Sequence, residues 1–315
     1  MQKKNCVKLA RSFQQVLSVA LILSLSTIAC TTANKNSEVN SPEGNSEPVS
    51  KILNVAVIPW QSPEEQQKKM QPLSDYLEQT INRSVKFEIA KDYKTAVNLL
   101  VEEKVDMAYL AALTYIKARD LNPQLEPLVL PIDKITGRPW YTSVIIIDVG
   151  KEILSLQDLK GKRFAFVSPS STSGFLMPLN ALQLEGINPS QDFSKILYPG
   201  SHDKTQTALV NGEVDAIAND KASFERGQAS GQLPENNYQI IWESEPIPTG
   251  PIVINRSKFT PKQINQLQQA LIDAPIGVVD VSGSESAGYT LAKDADFEEI
   301  REIYNRLQSI TIPEK

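Results

Sequence analysis

The chain has 315 residues, 41% of them hydrophobic, with 37 acidic against 32 basic side chains and a formal net charge of −5. Two cysteines and one histidine exclude a zinc or copper site of the usual Cys/His kind, and no metal or cofactor is expected. With no basic run, the chain offers nucleic acid and anionic membrane surfaces no electrostatic footing.

The N-terminus opens with Lys3, Lys4, Lys8 and Arg11, continues through an apolar Val16–Leu25, and reaches Ser26-Thr27-Ile28-Ala29-Cys30. The apolar core falls well short of the roughly 20 residues a bilayer span needs, so residues 1–29 read as a secretory signal peptide. A cysteine after a small residue at the cleavage point resembles the lipobox of bacterial lipoproteins, although Thr27 stands where that motif more often has Leu. The resemblance implies a lipid on Cys30 and a chain anchored on the extracytoplasmic or periplasmic side of a membrane; an ordinary signal with an incidental cysteine is the other reading. Loss of the four basic residues of the signal takes the net charge from −5 to −9. Residues 30–50, rich in Ser, Asn, Glu and Pro without apolar periodicity, read as a flexible tether.

The remaining chain, about 265 residues, exceeds what one hydrophobic core usually organises, so two lobes are expected. Ile52–Ile58 is a short apolar run ending at Pro59, the pattern of a strand buried on both faces. Ser62-Pro63-Glu64-Glu65 supplies an N-cap, a proline at the first helical position and a Glu at N3, a capping box before a helix running toward Gln79. Further strands are expected at Lys86–Ile89, Val105–Leu110, Leu125–Leu130, Ser143–Asp148, Arg163–Val167, Ile196–Tyr198, Val214–Ala218, Gln239–Trp242 and Gly250–Ile254. Helical stretches between most of them indicate βαβ units and mainly parallel sheets.

A constant shift of 109 residues places Leu100-Val101 on Leu209-Val210 and Val105-Asp106 on Val214-Asp215. Each copy reads as an N-cap (Asp92, Ser201), a helix, a short polar turn and a strand. Under the shift Tyr93 falls on His202, so each lobe aims a helix N-terminus at the cleft, where open α/β sheets bind ligands.

The stretch Ser168-Pro169-Ser170-Ser171-Thr172-Ser173-Gly174 packs five hydroxyls into seven residues between apolar runs. Two readings fit it: an ordinary strand-to-helix turn, or an anion site in which hydroxyls and free N–H groups converge at a helix start.

The run Leu159–Pro178, LKGKRFAFVSPSSTSGFLMP, resembles the phosphonate, phosphite and phosphate-binding proteins of ABC importers. So do Asp92-Tyr93, Trp140–Ser143, Gly200–Asp203, Asn211–Ala216 and Ser244–Pro248, in the family's order across about Val55 to Tyr304. The resemblance implies an α/β, two-lobed periplasmic-binding-protein fold of type II with mainly parallel sheets. Lobe one would comprise 51–138 and 256–315 and lobe two 139–255, with hinge crossings near 139–148 and 246–255; C-terminal helices, including Asp296–Leu307, would pack back on lobe one. It implies ligand contacts from Ser171, Thr172, Ser173, Tyr93, Tyr141 and His202, a small phosphorus oxyanion as ligand, an ABC permease as partner, and a monomer that catalyses nothing. Ala111-Ala112 replaces a Gly-Pro that many relatives show, which bears on ligand identity more than on fold.

Each residue also has a plainer reading. Tyr93 and Tyr141 could be packing aromatics, His202 a capping side chain, and Asp220 either an acceptor for a ligand proton or an N-cap before Lys221–Arg226. Trp60 is expected in the core rather than lining the cleft. A sensor of the same fold and, more remotely, a serine hydrolase built on Ser171 or Ser173 with His202 remain alternatives; the hydrolase lacks a Gly-x-Ser-x-Gly elbow.

Overall fold

The computed structural model describes residues 52–134, 136–277 and 286–308. The expected signal peptide, the tether and Cys30 lie outside the described residues. In chain order the strands are β1 (Ile52–Val57), β2 (Ser84–Ile89), β3 (Met107–Tyr109), β4 (Leu125–Asp133), β5 (Trp140–Tyr141), β6 (Ser143–Asp148), β7 (Arg163–Ala165), β8 (Lys195–Leu197), β9 (Ala216–Asp220), β10 (Tyr238–Glu243), β11 (Ile247–Pro248), β12 (Ile252–Asn255) and β13 (Ser286–Leu291). The helices are α1 (Pro63–Ile81), α2 (Tyr93–Val101), α3 (Ala112–Leu121), α4 (Met177–Leu184), α5 (Pro189–Asp192), α6 (His202–Val210), α7 (Lys221–Ala229), α8 (Pro261–Ile272) and α9 (Glu298–Leu307).

Two sheets carry the two lobes. One runs β13-β4-β12-β3-β1-β2 and the other β10-β6-β9-β7-β8. The expected parallel pairing forms the core of each, β2-β1-β3 and β8-β7-β9. Antiparallel strands extend both cores. The chain passes from the first sheet to the second through β5 and returns through β11, and these two segments pair antiparallel. Thr249 ties the return down: its N–H donates to Pro139 O at 3.0 Å and its hydroxyl to Pro131 O at 2.7 Å.

The 109-residue repeat extends through the core of both lobes. Asn54 pairs with Lys86 and Arg163 with Lys195; Val55 pairs with Met107 and Phe164 with Ala216. The repeated Asp does the same job twice, since Asp106 accepts from Asn54 N–H and Asp215 from Arg163 N–H, each at 2.9 Å through Oδ2. Helices α2 and α6 start and stop 109 residues apart, and α3 and α7 start so. Ser62 and Ser171 are equivalent caps, accepting from Glu65 N–H at 3.3 Å and Gly174 N–H at 2.9 Å.

β7 and β9 differ locally from the sequence expectation. β7 stops at Ala165 because Val167 N–H turns to Gly174 O, closing the hydroxyl loop. β9 starts two residues later than expected and reaches Asp220, although Asp215 still bonds the flanking strands through its backbone, its N–H donating to Arg163 O at 2.9 Å. The C-terminal α9 packs in the core cluster of lobe one, with Phe297 against Tyr115.

Candidate functional site

Three helix starts and a hydroxyl loop meet between the lobes. Asp92 caps α2 by accepting from Thr95 N–H at 2.7 Å, which puts Tyr93 at the first helical position with its ring fully buried. The Tyr93 hydroxyl has no well-aligned hydrogen-bond partner. Burial, and then the neighbouring Tyr141, raise its pKa, so the phenol keeps its proton as a donor. Tyr141 is half-buried on β5, opposite Ile247.

The hydroxyl loop forms the strand-to-helix turn that one of its sequence readings expects. Ser171 caps the single π-turn Thr172–Leu176. Thr172 Oγ1 accepts from Leu113 N–H of lobe one at 3.0 Å, leaving its own proton to donate. Ser173 is buried, its carbonyl accepts from Ser143 Oγ at 2.7 Å, and its hydroxyl has no partner. Gly174 is required sterically: a Cβ there would sit 2.3 Å from Val167 Cγ2. Thr114 Oγ1 and Lys117 Nζ of α3 donate to the carbonyls of Ser170 and Pro169, at 3.1 and 2.9 Å, which docks lobe one on the loop.

His202 opens α6 and is buried. Ser201 holds the N-cap position, but its hydroxyl turns to the Asp203 carboxylate instead of the helix backbone. The imidazole Nδ1 lies 2.6 Å from Asn219 Oδ1 and 3.0 Å from Asp220 Oδ2. Nε2 has no protein partner. Asp220 is the N-cap that one of its sequence readings expects: Oδ1 caps α7 by accepting from Ser223 N–H at 2.8 Å, while Oδ2 lies beside His202 Nδ1. Burial works against its charge, yet His202, the Ser223 bond and Arg226 hold the carboxyl below the ordinary carboxylate range.

Trp60 is buried, as expected, but in the cleft wall. Its ring stacks on His202 with centroids 4.2 Å apart and planes at 17°. Its carbonyl accepts from His202 N–H at 3.1 Å and its Nε1 donates to Ser223 Oγ at 3.2 Å. Asn219 is a residue of this wall that sequence reasoning missed, and Trp60 one that it weighed for the cleft and assigned to the core. One signal was present for Asn219: the repeat places it on Leu110, a polar side chain where its counterpart is apolar.

At the site, Tyr93 Oη from lobe one and Ser173 Oγ and His202 Nε2 from lobe two are buried without a well-aligned protein partner, and Asp220 Oδ2 is paired with His202 Nδ1. The electrostatics of Tyr93 place it near Ser171, Tyr141 and Asp220, and Ser143 links Ser173 to Asp220 through the β6–β9 pairing. Buried donors from both lobes, with an acceptor beside them, suit a tetrahedral oxyanion. Beyond Tyr141, a cavity of about 240 Å³ includes Ala222 and the Glu243 carboxylate, which is already taken by Lys221 and Thr142. Another, of about 380 Å³, lies beside the Trp60–His202 stack and includes Lys69 and Arg226. Among the described residues no cluster of His, Cys, Asp or Glu is placed to hold a metal, and no helix is long and apolar enough to cross a membrane.

The family of phosphonate periplasmic substrate-binding proteins of ABC transporters matches residues 55–297. The phosphate-import protein PhnD of Mycolicibacterium smegmatis is 26% identical over 313 residues, covering 93% of this chain and 96% of that protein. The phosphonates-binding periplasmic protein of Escherichia coli is 28% identical over 234 residues, covering 73% and 68%. The structure of PhnD1 from Prochlorococcus marinus in complex with methylphosphonate has the same fold, with a TM-score of 0.74 at 24% identity, over 82% of this chain and 99% of that one.

Proposed function

We propose that this chain, which belongs to the family of phosphonate periplasmic substrate-binding proteins of ABC transporters, captures a small phosphorus oxyanion by closure of its two lobes. It is a transport component and not an enzyme, and works outside the cytoplasm with an ABC permease. The observation that carries the ligand reading is that Tyr93 Oη from lobe one and Ser173 Oγ and His202 Nε2 from lobe two are buried without aligned protein partners. Tyr93, Tyr141, Ser171, Thr172, Ser173 and His202 are its contacts, and a proton that the ligand brings is accepted on the lobe-two side, where Asp220 backs His202. Closure follows from contacts on both sides of the cleft, which favour the closed form by the ligand's differential affinity for it.

The curated relatives handle phosphate and phosphonates by name; the choice for this chain rests on its own residues. An aminoalkyl tail needs an unpaired carboxylate. The return segment Pro248-Thr249-Gly250-Pro251 has none, α7 presents Ala222 beside Tyr141, and Glu243 is already paired. Ala111 and Ala112 tighten the lobe-one wall. Phosphite and methylphosphonate should therefore bind more tightly than aminoethylphosphonate, and sulfate poorly, since it brings no proton to an acceptor-bearing site. Calorimetric titration of the tag-free mature chain with these anions and phosphate tests the reading; a tenfold preference for aminoethylphosphonate would overturn it.

The mature protein acts as a monomer, held to the membrane by a lipid on Cys30. Cys30→Ser expressed in a lipoprotein-processing bacterium should move to the soluble fraction, and unchanged membrane association would remove the anchor from the account.

A further inference from the structure

Asn219, the penultimate residue of β9, is fully buried and has its amide orientation dictated by the backbone. Its Oδ1 accepts from Asp220 N–H at 2.9 Å. Its Nδ2 donates to the His202 carbonyl and to Thr205 Oγ1, both at 3.0 Å, while the Thr205 proton goes to that same carbonyl at 2.7 Å. A backbone N–H only donates and a backbone carbonyl only accepts, so turning the amide round would break both contacts. Oδ1 therefore faces His202 Nδ1 at 2.6 Å as an acceptor. Two lone pairs do not bond, so Nδ1 carries a proton. In the neutral ring Nε2 is then a bare lone pair, buried and without a protein partner.

We propose that Asn219 is a positioning residue that fixes the Nδ1–H tautomer of His202 and leaves Nε2 as a proton acceptor facing the ligand. The inference rests on the oxyanion reading above and deepens it: the preferred ligands are anions that keep a proton on oxygen, such as hydrogen phosphite, hydrogen phosphate or a singly ionised alkylphosphonate. Their P–OH donates to Nε2 while their charged oxygens meet the hydroxyl donors. Sulfate has no such proton.

The carboxylate of Asp220 is the rival for this role. Its Oδ2 is 3.0 Å from Nδ1 but out of line for a hydrogen bond, and the Trp60 ring stacked on the imidazole holds the ring plane against a swing toward it. The other charged or titratable groups about the ring are Asp203 on α6, Arg226 on α7, and Glu65, Lys69 and Tyr93 from lobe one; none bonds Nε2.

His202 is the only histidine in the chain, so tag-free mature protein carrying isotopically labelled histidine gives an imidazole nitrogen spectrum that reports this ring alone. In ligand-free protein at a pH where the ring is neutral, Nδ1 should show an attached proton and Nε2 none. Asp220→Ala should keep that pattern, whereas Asn219→Ala should bring in an Nε2–H population and weaken methylphosphonate binding about tenfold. An Nε2–H ring in the parent, loss of the Nδ1 proton in Asp220→Ala, or an Asn219→Ala spectrum identical to the parent's would each overturn the inference. If Asn219→Ala does not fold, the parent and Asp220→Ala spectra decide. The tautomer is read without ligand, so methylphosphonate failing to bind with the pattern intact would sink the ligand reading and leave the positioning role standing.

Discussion

The two lobes share a register and differ where they face the ligand. Residues 109 apart occupy equivalent places in the same βαβ core, yet Tyr93 is answered by His202, Leu110 by Asn219 and Ala111 by Asp220. Lobe one caps α3 at Ala111 with no side-chain bond, while lobe two caps α7 with the carboxylate of Asp220. One half of the site therefore offers a neutral phenol and methyl groups, and the other holds the titratable machinery. A repeated scaffold fixes where the helix starts point; the residues placed at those starts decide what each half does. Selectivity for a proton-bearing anion belongs to lobe two.

The largest expected effect comes from making lobe two resemble lobe one. Asp220→Ala removes a helix cap and a buried partner of His202. It should cost about 2–4 kcal/mol of stability, the loss of a cap together with a buried polar contact. Chemical denaturation measures it. Ala111→Asp, the reverse change, should weaken anion binding, because it adds a buried carboxylate to the half of the site that has none.

A second contrast is within the hydroxyl loop. Ser173→Ala deletes a hydroxyl that no protein group uses, so affinity for methylphosphonate should fall by about 1.5–3 kcal/mol with little change in unfolding free energy. If stability falls and affinity does not, Ser173 is a packing residue.

The equivalent caps Ser62 and Ser171 give a smaller and cleaner comparison. Alanine at either should cost about 1 kcal/mol of stability. Only Ser171→Ala should also weaken binding, because only that cap lies in the ligand wall. Equal binding constants for the two variants would reduce the hydroxyl loop to an ordinary turn.

The smallest effect is in the acid limb of the stability curve. The Asp220 pKa is depressed in the folded protein, so its contribution is complete above the ordinary Asp value of about 3.9 and is lost as pH falls through the folded value. Asp220→Asn should flatten the fall in stability below about pH 4 relative to the parent. An unchanged acid limb would mean that the carboxyl is not held ionised by His202.

Much of this architecture is legible in the sequence because it is local. The apolar run of β1, the proline after Ser62 and the hydroxyl loop each carry their own signal, and Tyr93 and His202 emerge from the repeat. What escapes is set by distant partners. Nothing near Trp60 announces that His202 will stack on it, and Pro59-Trp60 reads as core until both lobes are in place. The Arg163 guanidinium that holds the Asp215 carboxylate lies on a strand far away in sequence. Asp220 is ambiguous in sequence for a physical reason: its two oxygens do different work, one on the α7 backbone and one beside His202.

The most direct test of the account is a crystal structure of the mature chain with methylphosphonate. The account predicts the phosphorus between the lobes, with its oxygens within hydrogen-bond reach of Tyr93 Oη, Ser173 Oγ and His202 Nε2. Phosphorus in the cavity beside Lys69 and Arg226, with those three atoms untouched, would contradict it.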